Sequence, residues 1–250
     1  MTKSKPQLIV ALDVNSLAEV RALMTKLDKL ADIYKVGSQL FTACGPAVVR
    51  FIEAKGKKVF LDLKYHDIPN TVSLAVGSAV GLSVALARSL GQTQKRVSKN
   101  LGLFMLTIHT LGGEAMLQAA VESAAKTSQK IGVNKPLIVG ITVLTSGEKN
   151  DTIPDLVLER ARLAKKCGLN GVVASSQEAK MIRKEFGKDF VIVTPGIRPQ
   201  GSVAGDQQRI TTPREAVLNG SDYLVVGRPI VNAPDPKVAA QKILEEINSV

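Results

Sequence analysis

Lys58-Val59-Phe60-Leu61-Asp62-Leu63-Lys64 reads as a short strand that runs from an apolar start into charge, with Asp67 three residues beyond it. Side chains alternate along a strand, so Val59, Leu61 and Leu63 share one face. Phe60, Asp62 and Lys64 share the other. Seven further runs of the same kind lie outward from it in both directions. They are Leu8–Leu12, Ile33–Gly37, Leu103–His109, Leu137–Val143, Gly171–Ala174, Phe190–Thr194 and Tyr223–Val226. Helical patterning fills the intervals: Ser16 to about Ala31, then the stretch reaching Ala54, then a long region from Ile68. Gly113–Lys130, Asp155–Cys167, Ser176–Phe186, Thr212–Asn219 and Pro236–Ile247 follow. Ser16 with Glu19 three residues later is a capping box.

Strands that alternate with helices are parallel, because each crossover is a helix. Eight such units in 250 residues predict a single-domain (β/α)8 TIM barrel of the α/β class, spanning residues 1–250. A doubly wound open sheet is the alternative architecture. No Gly/Ser/Pro linker divides the chain. The connection after the third strand looks long, and an insertion is expected over residues 81–102. It carries Arg88, Lys95, Arg96 and Lys99 and no acid. The plain reading is a longer helix and a solvated loop; the other is a contact with a polyanion or partner.

Composition narrows the function classes. Lys and Arg number 33 against 22 Asp and Glu, a net charge of +11, so an anionic partner is expected. There is no Trp, and aromatics make up 4% of the chain, which argues against a base-stacking nucleic-acid platform. Two cysteines, Cys44 and Cys167, make no disulfide framework and fit a reducing cytoplasm. Both read as buried small apolar residues. His66 and His109 with these cysteines give no zinc-ligand spacing. The uncharged run Ile68–Ala87 has membrane length, but Pro69, Asn70, two glycines and three serines make it a helix packed on the protein's own core. No membrane association is expected.

A parallel barrel carries its chemistry at the carboxyl ends of its strands. Asp13 follows the first strand and Lys35 lies on the second. Asp62 and Lys64 end the third and project into the barrel mouth, with Asp67 on the loop beyond. A lysine between two carboxylates keeps its proton and is a positioned donor rather than a nucleophile. Spacing alone equally allows an ion pair that only fixes the top layer of the barrel. The run Pro195–Gly201 after strand seven and Gly227-Arg228 after strand eight stand where barrels bind phosphate. Glycines let backbone N–H groups approach an anion, and Arg228 offers a forked donor. Both histidines read as structural.

The decapeptide Asp62-Leu63-Lys64-Tyr65-His66-Asp67-Ile68-Pro69-Asn70-Thr71 closely resembles the signature of the orotidine 5′-phosphate decarboxylase family. Val10–Asp13, Lys35–Gly37, His109–Gly113, Val143–Ser146, Thr194–Pro199, Gly205–Gln207 and Val226–Pro229 resemble that family's other segments, in its order. The likeness runs from about Leu8 to the final helix, and the long form of Gly201–Arg209 is similar to the bacterial branch.

The resemblance implies decarboxylation of orotidine 5′-monophosphate (OMP) to uridine 5′-monophosphate (UMP), the last step of pyrimidine synthesis, with no metal and no cofactor. It implies Lys64 as the proton donor to C6, Asp62 beside the substrate carboxylate, and Lys35 and Asp67 completing an alternating charge network. It also implies a homodimer in which Asp67 and Thr71 reach the neighbouring site. Asp13 and Lys35 would meet the ribose, and Thr145 with Ser146 the pyrimidine edge. Gln207, Gly227 and Arg228 would hold the phosphate, with Arg198 on the same loop. Metal-dependent relatives, such as 3-keto-gulonate-phosphate decarboxylase and hexulose-phosphate synthase, share D-x-K-x-x-D. They usually continue it with a small residue and Gly rather than Ile68-Pro69-Asn70-Thr71. A non-catalytic nucleic-acid binder is the other class that the charge suggests, but no recognised binding motif is present, so no specific nucleic acid is expected.

Overall fold

A computed structural model describes residues 5–89, 102–143, 152–200 and 210–250. Of the expected site residues, Thr145, Ser146 and Gln207 lie outside the described residues, as does most of the expected 81–102 insertion.

Eight strands close into one barrel. They are β1 (Gln7–Ala11), β2 (Ile33–Gly37), β3 (Lys58–Tyr65), β4 (Met105–His109), β5 (Leu137–Ile141), β6 (Gly171–Val173), β7 (Val191–Thr194) and β8 (Tyr223–Val226). Each pairs in parallel with the next, and β8 closes on β1 through Leu8 opposite Leu224 and Val10 opposite Val226. Around them lie α1 (Leu17–Leu27), α2 (Ser38–Cys44), α3 (Pro46–Ala54), α4 (Pro69–Ser89), α5 (Gly113–Ile131), α6 (Ile153–Lys166), α7 (Ser176–Phe186), α8 (Pro213–Leu218), α9 (Arg228–Val231) and α10 (Pro236–Asn248). The open-sheet alternative is thereby excluded.

The alternation along β3 is as its sequence demands. Phe60 packs inside the barrel with Ile9, Ile33, Met105, Val139 and Val193. Val59 and Leu61 face outward into the shell between strands and helices, with Val36, Leu106, Ile138 and Leu224. A barrel interior filled by side chains is a packed core and not a pore, so the open volume lies only at the strand ends.

Three local readings need correction. The stretch expected as one helix to Ala54 is two helices. Gly45 has φ 59, in the left-handed region where a glycine costs least, and Pro46 restarts the chain as α3. The short α9 after β8 has one turn only, too brief for any periodicity to reveal. At Ser16 the side chain accepts the N–H of Glu19 as the capping box requires. The reciprocal arm, however, runs from Glu19 to the N–H of Asn15. Cys167 is buried as expected, whereas Cys44 is only half-buried.

β3 and β4 do not pair evenly. Leu61 lies opposite Leu106, yet Tyr65 lies opposite Ile108, so four steps on β3 match two on β4. The excess is taken up around Lys64, whose φ of 51° is the one positive value among the described non-glycine residues. Strained backbone of this kind persists only where surrounding contacts hold it, and it gathers at functional sites.

Candidate active site

A cavity of about 290 Å³ opens at the carboxyl ends of the strands. Its floor is apolar: Phe60, Ile141, Val173, Val193 and Val225 reach it from five strands. Its rim is charged. Asp13, Lys35, Asp62 and Lys64 line it from β1 to β3, and Gly196, Arg198, Gly227 and Arg228 line it from the ends of β7 and β8; Gly227 adjoins Asp13, since a Cβ on it would stand 2.7 Å from Asp13 Oδ2. Seven of the residues singled out from sequence therefore meet at one place, although they come from positions 13 to 228.

Four of them form a row of alternating charge. Lys35 Nζ lies 3.4 Å from Asp13 Oδ1 and 3.6 Å from Asp62 Oδ2. Lys64 Nζ lies 2.9 Å from the same Asp62 oxygen. Asp62 is 8% exposed. Burying a carboxylate costs several kcal/mol unless it is paired and its lone pairs are used. Here two ammonium groups face Oδ2, and Thr107 Oγ1 donates to Oδ1 at 3.0 Å. Gly37 is part of this arrangement. A Cβ on it would stand 2.9 Å from Lys35 Nζ, so a larger residue would push the ammonium out of the row.

After β7, Arg198 is buried and its Nη1 donates to the Ile197 carbonyl at 2.9 Å. Its backbone N–H bonds to Thr211 O at 2.9 Å, which ties the end of β7 to the segment that leads into α8. Arg228 is exposed at the first turn of α9. Two guanidinium groups thus border one open rim, an arrangement suited to a doubly charged oxyanion.

Asp67 and Thr71 are not brought to this cavity. Both are exposed; Asp67 Oδ1 accepts the N–H of Ile68 at 2.6 Å, and Thr71 sits in the first turn of α4. Ile68 and Leu74, on either side of Thr71, are 66% and 65% exposed, and Leu111 after β4 is 56% exposed.

The two histidines stack on each other with centroids 5.4 Å apart, and neither lines the cavity. Burial, with nearby His66, Arg160 and Lys64, holds the His109 imidazole below its ordinary range. Its Nδ1 accepts the N–H of Leu111. Among the described residues no group of three His, Cys, Asp or Glu is placed to hold a metal ion, and no helix is long and apolar enough to cross a membrane.

Sequence reasoning missed Thr107. Its signal was a hydroxyl in the otherwise apolar run Met105-Leu106-Thr107-Ile108, in phase with the inward-facing Met105.

Residues 6–243 match the family model described as Orotidine 5′-phosphate decarboxylase / HUMPS family. The chain is 44% identical to the orotidine 5′-phosphate decarboxylase of Geotalea daltonii, over 98% of this chain and 97% of that one. It is 45% identical to the Vibrio cholerae protein of the same name, again over 98% and 97%. Among solved structures, orotidine 5′-phosphate decarboxylase from Lactobacillus acidophilus superposes with a TM-score of 0.76 at 33% identity, covering 98% of this chain and all of that one.

Proposed function

The chain belongs to the orotidine 5′-phosphate decarboxylase / HUMPS family, and from that premise we infer that it converts OMP to UMP and CO2, with Lys64 supplying the proton that replaces the carboxylate at C6. The observation that carries this reading is the row Asp13–Lys35–Asp62–Lys64, which shares one apolar-floored cavity with Arg198 and Arg228.

The chemistry explains why such a row is useful. Breaking the C6–carboxylate bond leaves its electron pair in an sp² orbital in the plane of the pyrimidine ring. The ring π system cannot take up that pair. Stabilisation must then come from fixed charge already in place. The Lys64 ammonium meets this need twice: it faces the developing carbanion, and then it transfers its proton to C6. Asp62, held by Thr107 and Lys35, stands beside the departing carboxylate, so repulsion falls as neutral CO2 leaves. Lys35 and Asp13 bind the ribose hydroxyls.

The phosphate lies at Gly227, Arg228 and Arg198, with Gln207 joining them. Thr145 and Ser146 meet the pyrimidine edge. Binding energy gained at the distant phosphate is then available to the chemical step, so that contacts far from C6 lower the barrier at C6.

Asp67 and Thr71 serve the site of a second subunit. Their exposure away from their own cavity, beside the uncovered Ile68, Leu74 and Leu111, supports a homodimer with composite sites. A nucleotide substrate and two unpaired cysteines fit the cytoplasm.

The direct test mixes purified protein with OMP and excess EDTA and follows the loss of orotate absorbance. Turnover that persists in EDTA is expected. Turnover abolished by EDTA and restored by a divalent metal would assign the chain to the metal-dependent chemistry instead.

A further inference from the structure

Thr107 lies in β4, is fully buried, and is not among the residues that line the cavity. Its hydroxyl makes two bonds at once. Oγ1 accepts the backbone N–H of Lys64 at 2.9 Å and donates to Asp62 Oδ1 at 3.0 Å. The directions follow from the partners, since an amide N–H only donates and an ionised carboxylate only accepts. One side chain therefore touches both members of the Asp62–Lys64 pair without touching the space that a substrate would fill.

Its place in the sheet makes the contact more than incidental. Between Leu61 and Tyr65 the β3–β4 ladder loses register, and Thr107 lies opposite that gap. The Thr107 hydroxyl supplies the rung that the backbone of β4 does not. That bond holds Lys64 where its backbone has φ 51, a conformation that a long side chain avoids unless it is held. The second bond fixes the rotation of the Asp62 carboxylate. With Oδ1 committed to Thr107, Oδ2 is presented to Lys64 Nζ and Lys35 Nζ.

We propose that Thr107 is a positioning residue for decarboxylation: through one hydroxyl it sets the plane of the Asp62 carboxylate and the backbone of Lys64, and so the distance from the ammonium to C6. This inference rests on the reading of Lys64 as proton donor. Proton transfer and charge stabilisation are steep functions of placement, and a shift of about 1 Å can cost on the order of a hundredfold in rate.

The test compares Thr107→Val, which keeps the shape and removes the hydroxyl, with Thr107→Ser, which keeps the hydroxyl. The readouts are kcat and KM for OMP and the Kd for UMP. Thr107→Val should lower kcat by roughly ten- to a hundredfold, while KM and the UMP Kd stay within about threefold. Thr107→Ser should recover kcat to within about threefold of the parent. If Thr107→Val does not fold, Thr107→Ala against Thr107→Ser reads the same hydroxyl without crowding. A hydroxyl-free variant with normal kcat, a serine variant as slow as the valine one, or a loss of UMP binding as large as the loss of kcat would each overturn the proposal. Lys64→Ala separates the two readings. If it is inactive while Thr107→Val is normal, only the role of Thr107 falls; if Lys64→Ala is itself active, the proton-donor reading falls and this one with it.

Discussion

Lys64 Nζ lies 2.9 Å from Asp62 Oδ2, and the two residues stand on the same strand with one residue between them. An ordinary strand would set them about 7 Å apart at their Cα atoms, pointing the same way. Here the backbone turn at Lys64 folds the longer side chain back over the shorter one. The buried carboxylate then holds an ammonium at the rim of the cavity, where Lys64 remains 38% exposed.

That geometry predicts the outcome of removing the lysine. Lys64→Ala leaves Asp62 with Lys35 and Thr107, so the fold should survive. The reaction loses both its electrostatic stabiliser and its proton source. We expect kcat to fall by roughly ten-thousandfold or more. UMP binding should persist, measured by calorimetry. A variant within about tenfold of the parent in kcat would refute the assignment.

Arg228 makes a different prediction because it lies after β8, in the first turn of α9, rather than on β3. Removing a charge-assisted hydrogen bond to phosphate costs roughly 1.5–3 kcal/mol. Arg228→Ala should raise KM for OMP by about ten- to a hundredfold. The phosphate-free nucleoside has nothing for Arg228 to hold, so its kcat/KM should hardly change. Equal losses on both substrates would show that Arg228 does not bind phosphate.

The composite site can be tested by complementation. Lys64→Ala and Asp67→Ala subunits are each expected to be inactive as homodimers. If Asp67 crosses to the partner, a mixed dimer has one site with both lesions and one with neither. Random exchange of equal amounts should restore about a quarter of parental activity, since half the dimers carry one intact site of two. If mixing restores nothing although exchange is confirmed by mass, Asp67 serves its own barrel.

Stability depends on the opposite end of the barrel. Arg183 of α7 pairs with Asp222 at 2.6 Å and donates to the carbonyls of Gly187, Phe190 and Gly220. Asp222 in turn accepts the N–H of Ile192 at 2.8 Å. This cluster ties α7 to the entries of β7 and β8, away from the cavity. Breaking a largely buried pair from one side costs about 3 kcal/mol. For a chain of this size that is a fall in Tm of roughly 6–12 °C. Arg183→Ala should show that fall by calorimetry while kcat at moderate temperature stays near the parental value. An unchanged Tm would show that the cluster contributes no net stability.

The eight strand–helix units, the inward face of Phe60 and the outward faces of Val59 and Leu61 were legible in the sequence. So were the charges at the strand ends. Each follows from a period of 2 or 3.6 residues and from the rule that parallel strands need crossovers, and these are local properties of the chain. The Gly45-Pro46 break was missed, although glycine and proline are residue types that end and start helices. The rest depends on pairing between distant segments. The register gap between β3 and β4, the positive φ of Lys64 and the bond from Thr107, 43 residues away, exist only once the two strands lie side by side. Parity along β3 put Asp62 and Lys64 on one face. How far Lys64 bends back toward Asp62, and which carboxylate oxygen it meets, was decided by the neighbouring strand, because a hydrogen bond across a sheet is a property of two strands and neither carries it in its own sequence.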